Sequence, residues 1–212
     1  MLSSMSVLDR LASSQNRRDE VPNQELAATL VAAGDETSIA ELVRNLAHKD
    51  KAIQSDCIKV LYEIAEVKPH LVARFHRDFA RLLESKNSRM VWGAMTALDA
   101  IVVMEPAGVA AAMSQILKAA QGDSVIARDH AVGILAKLAT LPAYSARCLP
   151  ELLNQLRSSP ANQFPMYCEL AAPAVAAGSR TAFLEIITNR LPGLTKDSQR
   201  KRVQTLVTSI KI

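Results

Sequence analysis

The sequence contains few aromatic residues and few glycines. Of its 212 residues only 4% are aromatic and seven are glycine, whereas alanine and leucine are abundant. This composition favours helices over strands. Because 49% of the residues are hydrophobic, the chain can bury an apolar core and does not have the composition of a disordered protein.

Long apolar runs are also absent. No stretch of about 18 apolar residues occurs, so we expect no membrane-spanning helix. The first residues lack the basic segment followed by an apolar one that is typical of a signal peptide. We therefore expect a cytoplasmic protein without membrane contact.

Cysteine and net charge are both low. The three cysteines are Cys57, Cys148 and Cys168, and the formal net charge is only +4. Cys57 and Cys168 occupy the same position of the repeat described below, three periods apart, which places them too far from each other for a disulfide. We expect both to be small buried residues. The charge is compatible with nucleic-acid binding but too weak to indicate it.

Motifs that carry catalysis are missing. The sequence has no phosphate-binding glycine loop, no dinucleotide fingerprint and no HExxH zinc motif. Its four histidines are dispersed and have no ligand partners at metal-binding spacing. Asp99 is the one acid in an otherwise apolar helix, and we expect it to face solvent or to pair with Lys59 or Lys137 rather than to act in catalysis. The sequence therefore predicts no catalytic residue, no cofactor and no metal site.

A period of 37 residues organises most of the chain. Small or aliphatic residues recur at helical spacing in four copies: Cys57, Val60, Leu61, Ile64 and Ala65; Ala94, Ala97, Leu98, Ile101 and Val102; Ala131, Ile134, Leu135, Leu138 and Ala139; Cys168, Ala171, Ala172, Val175 and Ala176. A fixed period of this length indicates stacked repeats. Leu42, Phe79, Ile116 and Leu153 form a second periodic set. Each repeat is therefore predicted to be a pair of helices.

Local residues predict where the helices begin and end. The first helices are predicted near 38–48, 70–85, 107–121, 145–158 and 180–191, and the second helices near 51–67, 88–104, 125–140, 163–177 and 198–211. Asp50, Asn87 and Ser124 precede three second helices and are expected to cap them; Asn162 is expected to cap the fourth.

The ends of the chain are predicted in the same way. Residues 1–22 are expected to form a weakly ordered or short-helical arm, and residues 23–212 a single repeat domain. A short helix capped by Asn23 and ended by Gly34 is expected to shield the start of the array.

These features resemble HEAT-type repeats, which are helix pairs of about this length with Asp or Asn in the turn and an apolar second helix. The resemblance covers residues 24–211. It implies an all-α fold, namely a right-handed α-α superhelix (a HEAT-like solenoid) of about five helix pairs, and leaves armadillo-type stacking open. It implies a scaffold and no particular activity.

In HEAT-like arrays the second helices line the inner, concave side. The same period gives the rows expected on that side: Ser55, Trp92, Asp129 and Met166; Lys59, Thr96, Gly133 and Leu170; Tyr62, Asp99, Ala136 and Pro173; Gln54, Val91, Arg128 and Pro165. They change from polar to apolar along the chain, and an apolar patch in the fourth repeat, which also includes Ala177, is typical of an interface.

The leading hypothesis is a non-enzymatic scaffold that binds a protein or peptide on this face. Trp92 is its predicted anchor. The predicted contact residues are Trp92, Tyr62, Lys59, Asp99, Arg128, Asp129, Met166 and Leu170. The fourth-repeat apolar face could also support a homo-oligomer. The competing interpretation is structural: Trp92 would pack on Met90 or Met95, and the fourth repeat would bury its face.

Nucleic-acid binding is the alternative function, by resemblance to HEAT-like DNA glycosylases, which combine a basic groove, aromatic residues and a catalytic Asp. Trp92 and Asp99 fit that pattern, but the predicted rows contain only Lys59 and Arg128 as cations. The basic stripe of Arg74, Arg77 and Arg81 is interrupted by acids and belongs to a first helix, so we expect it to be solvated. A helical-repeat lyase acting on a protein-bound chromophore is a third alternative that only the fold supports.

Overall fold

The computed structural model describes residues 6–122, 124–175 and 179–211. Throughout these ranges the regular structure is helical, with twelve α-helices and several short 3-10 turns and no strand. The chain divides into two compact units, residues 1–127 and 128–212. The single repeat domain expected over residues 23–212 stays a prediction.

Unit 1 consists of two layers of helices. The first-helix layer contains α2 (Glu36–Arg44), α4 (His76–Leu82), α6 (Pro106–Ala111) and α7 (Met113–Ala120). The second-helix layer contains α1 (Val21–Ala33), α3 (Lys51–Val67) and α5 (Ser88–Ile101). In the second-helix layer α3 packs between α1 and α5. Of the first helices, α2 packs on α3, α4 packs on α5, and α6 packs on α4 and α7. The helix α8 (Val125–Ala139) contains the boundary between the units.

The core of the repeats follows the predicted period. Every residue that the period assigns to the core of the first three copies, from Cys57 to Ala139, is buried. The periodic set on the first helices, Leu42, Phe79, Ile116 and Leu153, is buried as well. Side chains at equivalent helical positions face the same way, so the one-dimensional register predicted the packed face correctly.

Three of the four caps predicted for the second helices are confirmed. Asp50 Oδ1 accepts a hydrogen bond from the Ala52 amide at 2.7 Å, and Asn87 Oδ1 accepts one from the Arg89 amide at 3.1 Å. Ser124 Oγ accepts one from the Ala127 amide at 3.2 Å. These side chains satisfy amides that have no partner in the first turn of a helix. The turns between the helices of a pair are thus fixed by the residues at the predicted positions.

The prediction for the first helix is wrong at its start and right at its end. The helix begins at Val21, with Pro22 in its first turn, where proline loses no hydrogen bond. Asn23 is therefore inside α1, and it is 2% exposed. Its amide connects the N-terminal segment to α3 instead, because Oδ1 accepts from the Ala12 amide and Nδ2 donates to Asp56. Gly34 ends α1 in the left-handed conformation with φ of 62°, as expected.

The segment before α1 packs against unit 1. A 3-10 turn covers Val7–Arg10, and both Val7 and Leu11 are buried. Asp56 on α3 accepts a hydrogen bond from the Ser13 amide at 2.7 Å. This segment covers apolar surface at the start of the unit.

Unit 2 contains the remaining helices α9 (Pro142–Ser158), α10 (Phe164–Ala171), α11 (Arg180–Arg190) and α12 (Asp197–Lys211). The helix α9 packs on α10 and α11, and α10 packs on α12. Cys168 and Ala171 are buried as the period predicts, whereas Ala172 and Val175 are half-buried. The predicted core residue Ala176 and the predicted surface residue Ala177 lie outside the described residues.

The predicted cap of the fourth second helix is wrong. The residue before α10 is Gln163, and no side chain caps this helix. Asn162 lies one residue too early, and its Oδ1 accepts from Gln199 Nε2 at 3.2 Å. The amides of Gln163 and Phe164 instead donate to the Pro160 carbonyl. A backbone turn thus begins the helix where the periodic cap position is alanine.

Among the described helices none is long and apolar enough to cross a membrane.

Candidate functional site

The exposed side of the second-helix layer in unit 1 is formed by α3 and α5, which approach closely at Gly93. A Cβ atom at this glycine would lie 2.5 Å from Ile58 Cγ1 and 3.2 Å from Tyr62 Cδ1. The missing side chain lets Ile58 and the Tyr62 ring approach the α5 backbone closely. Burial raises the pKa of the half-buried Tyr62 phenol, and the nearby Lys59 offsets only part of this rise. The ring is therefore held in place and remains partly accessible.

Lys59 is the centre of a compact charged cluster beside Tyr62. Its Nζ lies 2.8 Å from Glu20 Oε2 and 2.6 Å from Glu63 Oε1, and it is 4.8 Å from the Tyr62 ring centroid. The Lys59 side chain is only 12% exposed, whereas that of Glu20 is 65% exposed. Burial alone would lower the pKa of the ammonium, but the hydrogen bonds to Glu20, Glu63 and Tyr62 together raise it. Two carboxylates on one ammonium leave this part of the surface with a net negative charge.

Trp92 lies on the solvent side of α5. It is 36% exposed, although both neighbours that could have covered it, Met90 and Met95, are buried. Thr96 Oγ1 donates to the Trp92 carbonyl at 3.0 Å, and Asp99 lies one further turn along the same stripe. Asp99 is half-buried. The stripe thus presents a large aromatic surface at one end and a carboxylate at the other.

The predicted contact residues of unit 2 are arranged differently. Asp129 Oδ1 accepts a hydrogen bond from the Tyr167 hydroxyl at 2.6 Å. Burial, followed by this contact with Asp129, raises the pKa of the fully buried Tyr167. Arg128 and Met166 are half-buried, and Leu170 is 37% exposed. Asp129 is therefore engaged inside its own unit, and Leu170 offers the largest apolar surface among the predicted residues of unit 2.

Three residues that the register placed on the exposed side are buried instead. They are Gly133, Ala136 and Pro165. Glycine and alanine have too little side chain to reach beyond the longer residues around them. Pro165 lies in the first turn of α10, which begins only at Phe164. The exposed rows are thus continuous on α3 and α5 and interrupted on α8 and α10.

The sequence reasoning missed the two acids that hold Lys59. Glu63 follows Lys59 by four residues, and this spacing alone predicts a salt bridge on one helix face. Glu20 could not have been found in this way, because it was assigned to a polar arm and reaches Lys59 only when α1 packs on α3. Within the described residues no three His, Cys, Asp or Glu side chains are grouped as a metal site.

Comparison with known proteins identifies the fold. No known family profile matches the sequence, and no curated protein matches it. Solved structures do match. An engineered protein from a structural genomics consortium is 19% identical, with a TM-score of 0.67 over 98% of this chain and 97% of its own.

Two designed armadillo repeat proteins are similar to the same extent. One is 14% identical, with a TM-score of 0.66 over 96% of this chain and 99% of its own. The other, in complex with the peptide (KR)4, is 15% identical, with a TM-score of 0.66 over 88% of this chain and 86% of its own. These likenesses confirm the prediction from the sequence: the chain has an all-α helical-repeat fold of the HEAT or armadillo type.

Proposed function

We propose that this protein is a non-enzymatic repeat scaffold that binds a peptide or an extended protein segment on the exposed side of α3 and α5. The observation that carries the proposal is Trp92, a large aromatic side chain 36% exposed on an otherwise well-packed helix. Exposed tryptophan contributes large binding energies at protein interfaces. The designed armadillo repeat protein that holds a peptide supports such a use of the fold.

The neighbouring side chains suggest how a ligand would be held. Tyr62 is fixed by Gly93 and Lys59, so it can contact a ligand with little loss of side-chain entropy. Glu20 and Glu63 direct net negative charge outward, because Lys59 compensates only one of them. A ligand with an apolar side chain for Trp92 and a cationic group for Glu20 fits this surface. The surface does not favour nucleic acid, since its lysine is already paired with two carboxylates.

The proposal extends to unit 2 only in part. Leu170 and Met166 provide a second apolar contact area, and either a bound protein or a second copy of the chain could cover it. Asp129 is already hydrogen-bonded to Tyr167, so Leu170 and Met166 are the residues we expect to act there. We place the cell compartment in the cytoplasm as part of the same proposal.

A displayed library of random peptides tests the proposal. Peptides selected on the wild-type protein should bind the Trp92→Ala variant at least about 30-fold more weakly, as expected for a binding hot spot of about 2 kcal/mol. The matched control is Val67→Ala, which also removes exposed apolar surface but lies at the end of α3, where Val67 is 67% exposed. Affinities are measured by fluorescence anisotropy and folding by circular dichroism.

The outcomes are distinct. If Trp92→Ala and Val67→Ala bind every selected peptide as the wild type does, the Trp92 surface is not the binding site. If the selection yields no binder to the wild-type protein, the peptide-scaffold proposal fails altogether.

A further inference from the structure

Two grooves flank α4 on the first-helix side of unit 1, opposite the layer that contains Trp92. The α2–α4 groove has a volume of about 460 Å³, and its floor is formed by Val43, Leu46, Phe75 and Leu82. The α4–α6 groove has a volume of about 530 Å³, and its floor is formed by small residues that include Ala80, Gly108 and Ala112. Both volumes are in the range of sites that bury ligand side chains.

The floors of the two grooves are suited to aliphatic side chains. Val43, Phe75 and Leu82 are each half-buried, so apolar surface remains accessible in the α2–α4 groove. In the α4–α6 groove the His76 ring lies directly on Gly108, where a Cβ atom would overlap it. Because Gly108 has no Cβ, the His76 ring can lie against the wall of the groove, and the groove stays open. Arg74 lies over the Phe75 ring, 4.8 Å from its centroid, so apolar groups of a partner would contact the rest of the Phe75 ring together with Val43 and Leu82.

The rims of the grooves are basic. Arg44 borders the α2–α4 groove, Arg77 borders the α4–α6 groove, and Arg81 borders both. Arg44 and Arg77 are exposed, and neither forms a hydrogen bond or an ion pair with any part of the chain that the structure describes. Arg81 is bonded to Asp78 at 3.1 Å, but its side chain is 77% exposed, and such a pair contributes little. Three guanidinium groups are thus available above the two apolar floors.

We propose that these grooves bind an acidic amphipathic segment of a partner protein. Its aliphatic side chains occupy the two floors, and its Asp or Glu side chains form charge-assisted hydrogen bonds with Arg44, Arg77 and Arg81. An amphipathic helix laid into a hydrophobic groove is a common mode of peptide recognition. This site is separate from the Trp92 surface, and the proposal does not depend on the function proposed above.

A protein segment fits the grooves better than a nucleic acid does. Asp78 and Glu105 are also part of the lining, and they would repel a backbone that carries a phosphate at every step. A peptide can place its acids opposite the arginines and leave neutral residues opposite Asp78 and Glu105. A nucleic acid that bound only through its phosphates would also leave the accessible apolar surface of Phe75 and Leu82 uncovered.

Synthetic peptides test whether the grooves prefer an acidic ligand. The probe is a fluorescein-labelled, helix-forming peptide of about four turns, with leucines along one face and glutamates beside them. The comparison probes are the same peptide with lysine for each glutamate, a polyglutamate peptide without leucines, and a single-stranded oligonucleotide. The Trp92→Ala variant is used for this comparison, because a peptide with leucines and lysines also suits the Trp92 surface proposed above. Fluorescence anisotropy at low and at physiological salt should show that this variant binds the acidic amphipathic peptide at least about tenfold tighter than each comparison probe.

Variants test the location. The double substitution Arg44→Glu and Arg77→Glu should weaken binding of the acidic peptide at least about tenfold, mainly through slower association at low salt. Because neither arginine has an intramolecular partner, the protein should stay folded, which circular dichroism checks. Arg180→Glu is the control for the change of net charge, because it replaces an exposed arginine of unit 2. Trp92→Ala is the control for the other surface. Both variants should bind the acidic peptide with the wild-type affinity.

The proposal is overturned if the double variant binds the acidic peptide as the wild type does, or if the lysine peptide or the oligonucleotide binds the Trp92→Ala variant as tightly as the acidic peptide does. A loss of binding in Trp92→Ala but not in the double variant would also overturn it and would assign the acidic peptide to the other surface. Failure here leaves the proposed function standing, since that is tested with different peptides and a different substitution.

Discussion

At the residue scale, several charged side chains act on their own protein rather than on a partner. Lys59 illustrates this. The register correctly put Lys59 on the second-helix side, but its ammonium is held by Glu20 and Glu63 and is only 12% exposed. A helical register gives the direction of a side chain, whereas the partners of a charge depend on residues brought in by tertiary packing. The sequence therefore predicted the position of Lys59 and not its role.

Arg190 has a structural role of the same kind. Its guanidinium donates to the carbonyls of Leu156, Arg157 and Ser159, at the end of α9, and lies 4.9 Å from the Phe164 ring centroid. A cation at this position satisfies carbonyls that have no partner inside a helix. One side chain thereby fixes the connection between α9 and α10.

We predict that Arg190→Ala lowers the free energy of unfolding by about 1.5–3 kcal/mol, the usual contribution of hydrogen bonds to a charged group. Arg190→Lys should recover less than half of the loss, because a single ammonium cannot reach all the carbonyls that the planar guanidinium bridges. Urea unfolding at neutral pH measures both, with Arg180→Ala, an exposed arginine of the same helix, as the control. If Arg190→Lys has the wild-type free energy of unfolding, the charge alone matters and the planar geometry of the guanidinium does not.

At the scale of the helices, the sequence predicted where helices occur better than where they begin, end or break; the helix predicted near 107–121, for example, is divided into α6 and α7. Asp50, Asn87 and Ser124 form caps because the periodic position and a capping residue coincide. The two errors come from competing signals. Pro22 fits the first turn of a helix, so α1 begins before Asn23 and the asparagine becomes an internal hydrogen-bonding residue. At the fourth repeat a backbone turn at Pro160 replaces the side-chain cap.

Asp35 gives a pH-dependent prediction at the same scale. It caps α2, and its carboxylate accepts hydrogen bonds from the Ser38 amide at 3.0 Å and from the Ser38 hydroxyl at 2.7 Å. These bonds lower the pKa of Asp35 below 3.8. Because the pKa is lower in the folded state, the carboxylate stabilises the protein above the unfolded pKa, and this contribution disappears as the pH falls through the folded pKa.

We predict that Asp35→Asn has nearly the wild-type stability around pH 4 and above, because asparagine caps helices about as well as aspartate does. Below that pH the variant should lose less stability than the wild type, since its cap does not titrate. Urea unfolding at a series of pH values between neutral and about 2.5 measures the difference. If the free energies of unfolding of the two proteins fall equally as the pH is lowered, Asp35 is not a cap that titrates in this range.

At the scale of the whole molecule, the repeat period predicted the core and could not predict the surface in the same detail. A buried position must be apolar in every copy, so the period remains visible there. An exposed position is free to vary, which is why Gly133 and Ala136 occur where Lys59 and Tyr62 occur in the first copy. The all-α repeat fold was therefore predictable, whereas the two grooves beside α4 depend on how first helices of different lengths pack.

The three free cysteines allow the stability of the two units to be measured separately. Cys57 belongs to unit 1, and Cys148 and Cys168 belong to unit 2; all three are buried. Burial raises the pKa of Cys57 and of Cys168 to about 12. A thiol that is both covered and protonated does not react with alkylating agents, so labelling reports the opening of the unit that contains it.

We predict that the substitution Leu98→Ala in α5 speeds the alkylation of Cys57 and leaves that of Cys148 and Cys168 nearly unchanged. Removing a fully buried leucine side chain costs about 2–5 kcal/mol, so the open population of unit 1 should rise more than about tenfold. In repeat proteins each element contacts mainly its neighbours, so a local loss of stability need not spread along the chain. Mass spectrometry of each cysteine peptide during labelling in dilute urea measures the three rates. An equal acceleration at all three cysteines would instead mean that the chain opens as a single cooperative unit, and the separation at residue 128 would then describe its packing and not its unfolding.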